Sequence, residues 1–221
     1  GSLGLMYEPG LYAPKDELRN VAELCARYNR PLTVHPRACS AVSMAYPELL
    51  GRPHLLRALD ELEEITQGLD IKLQYSHAIF VGKSSFRCKD ELIANIERMR
   101  KNGVDAMFDI YAELLGVSVI TAVMPVWYQA LSPADKRKFF NKFRFRVLAY
   151  ATIALLGFGF DDIQVAYINP GYEEYEGKTV HQIAKEKRMN DLDAYLMLCE
   201  QSDFAGRVNM GPYSTPQIVS D

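Results

Sequence analysis

Apolar positions along the chain alternate between two periods. In "APKDELRNVAELCARYN" (13–29), Leu18, Val21, Ala22 and Cys25 fall at i, i+3, i+4 and i+7, one buried face of a helix. The next run, "PLTVH", is short and β-branched, and predicts a strand. Helical spacing returns in "PHLLRALDELEEITQ" (53–67) with Leu55, Leu56, Leu59 and Leu62. "IKLQYSH" then reads as a strand, "KDELIANIERMRKNG" as a helix closed by Gly103, and "DAMFDIYA" as another strand. Three strand–helix units in succession imply a parallel sheet.

Beyond residue 112, "SPADKRKFFNKF" places Ser132 at an N-cap, Pro133 at the first helical position and Asp135 where a capping box wants an acid. "VLAYATIALLGFGF" (147–160) is the longest apolar stretch. It is shorter than the roughly 20 residues a bilayer span needs, and it predicts buried core. "DIQVAYI" reads as a short strand, Thr179 and Gln182 as a second capping box, and "DLDAYLMLCEQ" as a further helix. The opening "GSLGLMYEPGLYA" begins on a strand-like run, and "GPYSTPQIVSD" ends without a closing helix. Both ends read as cut from something longer. The expected architecture is a parallel α/β fold, either doubly wound or an arc of a (β/α)₈ barrel.

Composition narrows the function classes. With 221 residues, 48% of them apolar, the chain can bury a sizeable core, and a formal charge of −3 gives no overall pull toward nucleic acid or anionic lipid. No nucleic-acid partner and no membrane are expected. Cys25, Cys39, Cys88 and Cys199 lack CxxC spacing, which suits reduced thiols in a cytoplasmic protein.

Candidate chemistry gathers where parallel strands end, because loops and helix N-termini converge there. His35 and Arg37 follow "PLTV", Ser76 and His77 follow "IKLQY", and Asp109 and Tyr111 lie in "MFDIYAE". Histidines at the ends of neighbouring strands can share one metal ion through neutral imidazoles. A lone strand histidine fits a hydrogen-bonded structural residue better than a ligand, the pair at equivalent positions shifts that balance, and Arg37 also fits a structural ion pair. Asp109 fits a partner of a ligand histidine or of a backbone group. His54 and His181, both at helix starts, read as structural, and Cys39 as a buried thiol.

"GSLGLMYEPGLYA", "LTVHPR", "YSHAIFVGK" and "DAMFDIYAE", in this order and at these intervals, resemble the N-acyl-D-amino-acid deacylase (D-aminoacylase) branch of the amidohydrolase superfamily. Tyr7, Pro9 and Gly10 match its Tyr-x-Pro-Gly segment. The resemblance implies that residues 1–221 are a single segment of a metal-dependent (β/α)₈ barrel, about strands 4 to 7, lacking the first strands and the last. It implies metal ligation by His35 and His77, with one or two zinc ions in the complete enzyme. Tyr111 is then the catalytic residue and also meets the substrate, Arg37 is the family's arginine and binds the substrate's carboxylate, and Lys83, also substrate-binding, stands in for a lysine that the family carries where this chain has Ile79. The implied substrate is a small N-acyl amino acid, hydrolysed at its amide bond. A His-x-His pair, a cysteine ligand and an eighth-strand aspartate have no counterparts, although Asp221 is a candidate for the last. Ala112 and Glu113 replace the family's Pro-Tyr pair. A non-catalytic binding or assembly module is the alternative, and open barrel edges predict self-association.

Two further signals are discounted. In "KRKFFNKFRFR" (136–146) a helix would bury the phenylalanines while Lys136, Lys138 and Lys142 stay in water, an easier reading than a nucleic-acid platform. "GFGFDD" lacks the third glycine of a dinucleotide fingerprint.

Overall fold

The computed structural model describes all residues except Tyr7, Glu8, Met44, Pro47, Leu49 and Leu50, together with the side chain of Val126. The Tyr7 match therefore lies outside the described residues. The chain divides into two compact units, Gly1–Ala112 with Ser214–Asp221, and Glu113–Tyr213.

In the first unit β1 (Ser2–Gly4), α1 (Lys15–Arg27), β2 (Leu32–His35), α2 (His54–Thr66), β3 (Lys72–Tyr75), α3 (Lys89–Lys101) and β4 (Asp105–Phe108) alternate as the apolar periods predict. The strands form a parallel sheet in the order β1-β2-β3-β4. Period two sorts its faces. Leu32, Val34, Leu73, Tyr75 and Ala106 are buried among Leu18, Leu55, Leu59, Leu62, Leu92 and Ile96 of the helices. Thr33, His35 and Gln74 on the opposite face are only half-buried. The register pairs Val34 with Tyr75 and Tyr75 with Phe108, so the carboxyl ends of the three strands lie level.

The second unit departs from the sequence reading. It holds β5 (Gly116–Val119), α4 (Val126–Gln129), α5 (Pro133–Lys136), α6 (Phe139–Leu156), β6 (Ile163–Tyr167), α7 (Val180–Lys187), α8 (Asp191–Gln201) and β7 (Arg207–Met210). "DIQVAYI" does form a strand, β6, but it pairs antiparallel with β7, which also pairs antiparallel with β5. Placing β7 between strands that precede it in the chain gives a small antiparallel sheet with β7 at its centre instead of a further parallel unit.

Four local expectations are also corrected. The helix starting at Ser132 breaks at Lys138, whose extended backbone caps a second helix, so 136–146 never share one helical face. Lys136 ends α5 and is buried, with its Nζ 4.8 Å from the centroid of the Phe204 ring, instead of standing in water. On α6 only Phe145, Ala149 and Leu156 are buried, so "VLAYATIALL" is not core throughout. Finally, "GPYSTPQIVSD" does close on a short helix, α9 (Pro216–Ser220), capped by the Thr215 hydroxyl.

Both capping signals hold. Ser132 Oγ accepts from the Asp135 amide, and Thr179 and Gln182 exchange reciprocal bonds of 3.2 and 2.8 Å. The four cysteines are buried and free. No helix among the described residues is long and apolar enough to cross a membrane.

Candidate metal and substrate site

Level strand ends bring His35, His77, Asp109 and Tyr111 together. The His35 and His77 rings lie 5.4 Å apart, edge to face, and the Tyr111 ring lies 5.0 Å from His77. His77 sits two residues past β3 with φ +64, a left-handed backbone that is costly for a bulky side chain and turns it away from the strand's own path.

Asp109 holds that turn. Its Oδ1 accepts from the His77 amide at 2.9 Å and lies 3.0 Å from His77 Nδ1, while its Oδ2 accepts from Gln74 Nε2 at 2.8 Å. Its carbonyl accepts from the Ala78 amide at 2.7 Å. Burial works against ionising Asp109, yet these donors outweigh it and hold the carboxyl below its usual range. With Nδ1–H directed to the carboxylate, His77 carries its lone pair at Nε2, as a metal-binding imidazole with a carboxylate behind it does. Sequence reasoning left Asp109 open between two partners, and it serves both. It missed Gln74, whose position on the same strand face as His77's partner is readable only once the register is known.

His35 Nδ1 lies 3.2 Å from the Pro36 carbonyl, an arrangement that places the proton on Nδ1. Burial lowers the pKa of His35, the Pro36 carbonyl pulls the other way, and His77 lowers it further, so the neutral imidazole is favoured. Burial also raises the Tyr111 hydroxyl above its ordinary value, helped by Cys39 and Asp109. That keeps it a hydrogen-bond donor at neutral pH. The Cys39 thiol is fully buried and pushed up to about 12, which keeps it protonated.

Arg37 is deployed differently from a substrate-binding arginine. It is buried, and Nε and Nη2 grip the two oxygens of buried Glu61 at 3.0 and 3.1 Å. Nη2 also donates to the Ala13 carbonyl at 3.1 Å, and Nη1 to the carbonyls of Gly10 at 3.5 Å and Leu11. All five N–H groups of the guanidinium thus point into the protein. Lys83 is exposed at the start of a 3₁₀ turn, Lys83–Cys88. No described hydrogen bond, ion pair or ring contact ties it to the histidines. Asp221 pairs with Lys89 and accepts from Gln217 at 2.6 Å, at the start of α3. His54 and His181 are engaged as structural residues, His54 Nδ1 accepting from the Ser43 amide at 2.6 Å and His181 facing Asp191 at 3.0 Å.

Two imidazoles fit two positions of a zinc donor set, which requires three or four protein ligands. Among the described residues no group of three or more His, Cys, Asp or Glu side chains is placed to hold a metal ion.

No protein-family model and no curated protein matches the sequence. Solved structures do. An N-acyl-D-glutamate deacylase from Bordetella bronchiseptica, complexed with zinc and a phosphonate mimic of the tetrahedral intermediate, superposes with a TM-score of 0.67 at 20% identity over 99% of this chain. A D-aminoacylase with a binuclear metal centre does so at 0.62 and 19% identity over 98%. The likeness is one of fold. Its direction agrees with the motif resemblance, and the chain spans 35% of the length of either structure.

Proposed function

We propose that this chain is the segment of an amidohydrolase-type (β/α)₈ barrel comprising about strands 4 to 7. In this reading it contributes two metal ligands and a substrate-facing tyrosine to hydrolysis of the amide bond of an N-acyl amino acid. One observation carries the reading: His35 and His77 converge at the level carboxyl edge of a parallel sheet, with Asp109 fixing the His77 tautomer. The half-buried, polar inner face of that sheet supports it, because all-parallel sheets are ordinarily covered on both faces. β1 and β4 are its edges, where further barrel strands would add.

His35 and His77 would hold the metal through Nε2. When bound, zinc supplies a polarised carbonyl and a water acidified to near neutrality. The chain's own residues do the rest. Asp109 orients His77 by holding its Nδ1–H. Tyr111 keeps its proton and donates to the oxygen that gains charge as the amide carbonyl becomes tetrahedral. Arg37 is a positioning residue, tying the Gly10–Ala13 backbone to α2 behind the histidine strand. Lys83, being exposed, remains available to a substrate carboxylate.

A second reading, a non-catalytic barrel module, is favoured by the absence of a third ligand among the described residues. Amine release from N-acyl-D- and N-acyl-L-amino acids in the presence of Zn²⁺ separates the two. The enzymatic reading predicts release that His77→Ala abolishes and Tyr111→Phe reduces roughly 10²–10³-fold, the loss typical for one oxyanion donor. No release from any member of the panel, together with no Zn²⁺ held by His35 and His77, favours the module.

A further inference from the structure

The outward face of α6 carries almost no charge. Phe139, Phe140, Phe143, Val147 and Tyr150 are 81, 72, 55, 61 and 50% exposed, and Ala151, Ala154 and Leu155 continue the exposed surface. Arg144 is the only ionic group among them, and its guanidinium lies 4.3 Å from the centroid of the Trp127 ring. The other bases of the helix are turned to its flanks, Lys142 paired with Glu200 and Arg146 with Asp193. The surface is therefore apolar with the single positive charge of Arg144, too little charge to recruit an anionic lipid or nucleic acid as its occupant.

Its spacing names the occupant. Phe140, Phe143, Val147, Tyr150 and Ala154 follow each other by three, four, three and four residues, the seam of a paired helix and not the wider stripe of a helix packed on a globular core. The core-facing residues Phe145, Ala149 and Leu156 lie elsewhere on the helix. Phe140, Phe143 and Tyr150 are the large residues of the seam and Val147, Ala154 and Gly157 the smaller ones, and reversing it sets each large residue opposite a smaller one. Antiparallel alignment sets Phe143 against Ala154, Val147 against Tyr150 and Phe140 against Gly157, filling each wide place with a narrow one. With aromatic side chains of 150–250 Å² at these exposures, the patch offers on the order of 600 Å² per copy. That stands at the top of the roughly 300–600 Å² range of the largest patches on monomers and approaches the roughly 800 Å² per partner of a stable interface.

We infer that α6 pairs antiparallel with α6 of a second copy of this chain, in a two-fold dimer independent of the proposed hydrolytic site and of the sheet edges. Sedimentation velocity on the whole chain tests it. The wild type should sediment at twice its 25.0 kDa. Val147→Glu, on an exposed position that leaves the fold intact by circular dichroism, should weaken the dimer at least about a hundred-fold, because it buries an unpaired charge in the seam twice. Mixed Phe143→Cys and Ala154→Cys copies should form a disulfide under mild oxidation, and neither variant alone should. A wild type still at 25.0 kDa at about 100 µM would overturn the proposal. So would a dimer indifferent to Val147→Glu, which would place the contact on another surface such as β1 and β4. Cross-linking of either cysteine variant with itself would refute the antiparallel alignment.

Discussion

Replacing Glu61 with alanine would leave the Arg37 guanidinium buried without its counter-charge. Both side chains are nearly inaccessible, at 7 and 9% exposure, so water cannot take over. Breaking a buried pair from one side costs about 3–5 kcal/mol. Arg37 keeps three backbone carbonyl acceptors, which sets the expectation at the lower end, about 3 kcal/mol, or a hundred-fold in the local opening equilibrium. The single tryptophan, Trp127, belongs to the Glu113–Tyr213 unit and would not report this loss. Amide hydrogen exchange over Leu32–His35 and His54–Thr66 reads it directly. Replacing both partners, Arg37→Met with Glu61→Leu, should cost less than the two single changes together, since no charge is then stranded. If Glu61→Ala accelerates exchange by less than about fivefold, the pair behaves like a solvated surface bridge and the positioning role of Arg37 fails.

Other expectations follow from the same contacts. Asp109→Ala should weaken zinc binding about 10–100-fold in competition with a chromophoric chelator, with the circular dichroism unchanged; an unaltered affinity would mean that Asp109 does not orient His77. Burial lowers the pKa of His54 below its ordinary 6.5, so the folded state binds fewer protons than the unfolded one under mildly acid conditions. The stability it contributes is complete above pH 6.5 and declines as pH falls from there toward the folded value, a slope that His54→Gln should flatten in urea titrations. Thr179→Ala removes one half of a capping box and should cost about 1 kcal/mol, seen as faster exchange across α7.

The parallel sheet and its helices were legible because each element of that unit has one buried face, so burial and periodicity agree. Where they disagree the sequence misleads. α6 is apolar on its outward side as well as its inward side, and hydrophobicity alone could not say which side meets the core. β5, "GVSV", offers only four residues, and its pairing with β7 spans some 90 positions, a non-local contact with no local signature. At the site, His35 and His77 stood out because an imidazole is a rare way to end an apolar strand. Glu61 did not, being one acid in "DELEE" with nothing in its spacing to mark the carboxylate that turns inward. For the same reason Arg37 stood open between a substrate contact and a structural ion pair until its five donors could be followed to their acceptors.

The claim on which the account depends is that His35 and His77 share a ligand. Imidazole proton–nitrogen spectra recorded during a Zn²⁺ titration test it most directly, even at weak affinity, because the four histidines report separately. The account predicts that His35 and His77 shift together along one binding curve, that His54 and His181 stay still, and that His35→Ala abolishes the His77 response and His77→Ala the His35 response. Separate curves, or a His77 shift that survives His35→Ala, would contradict it.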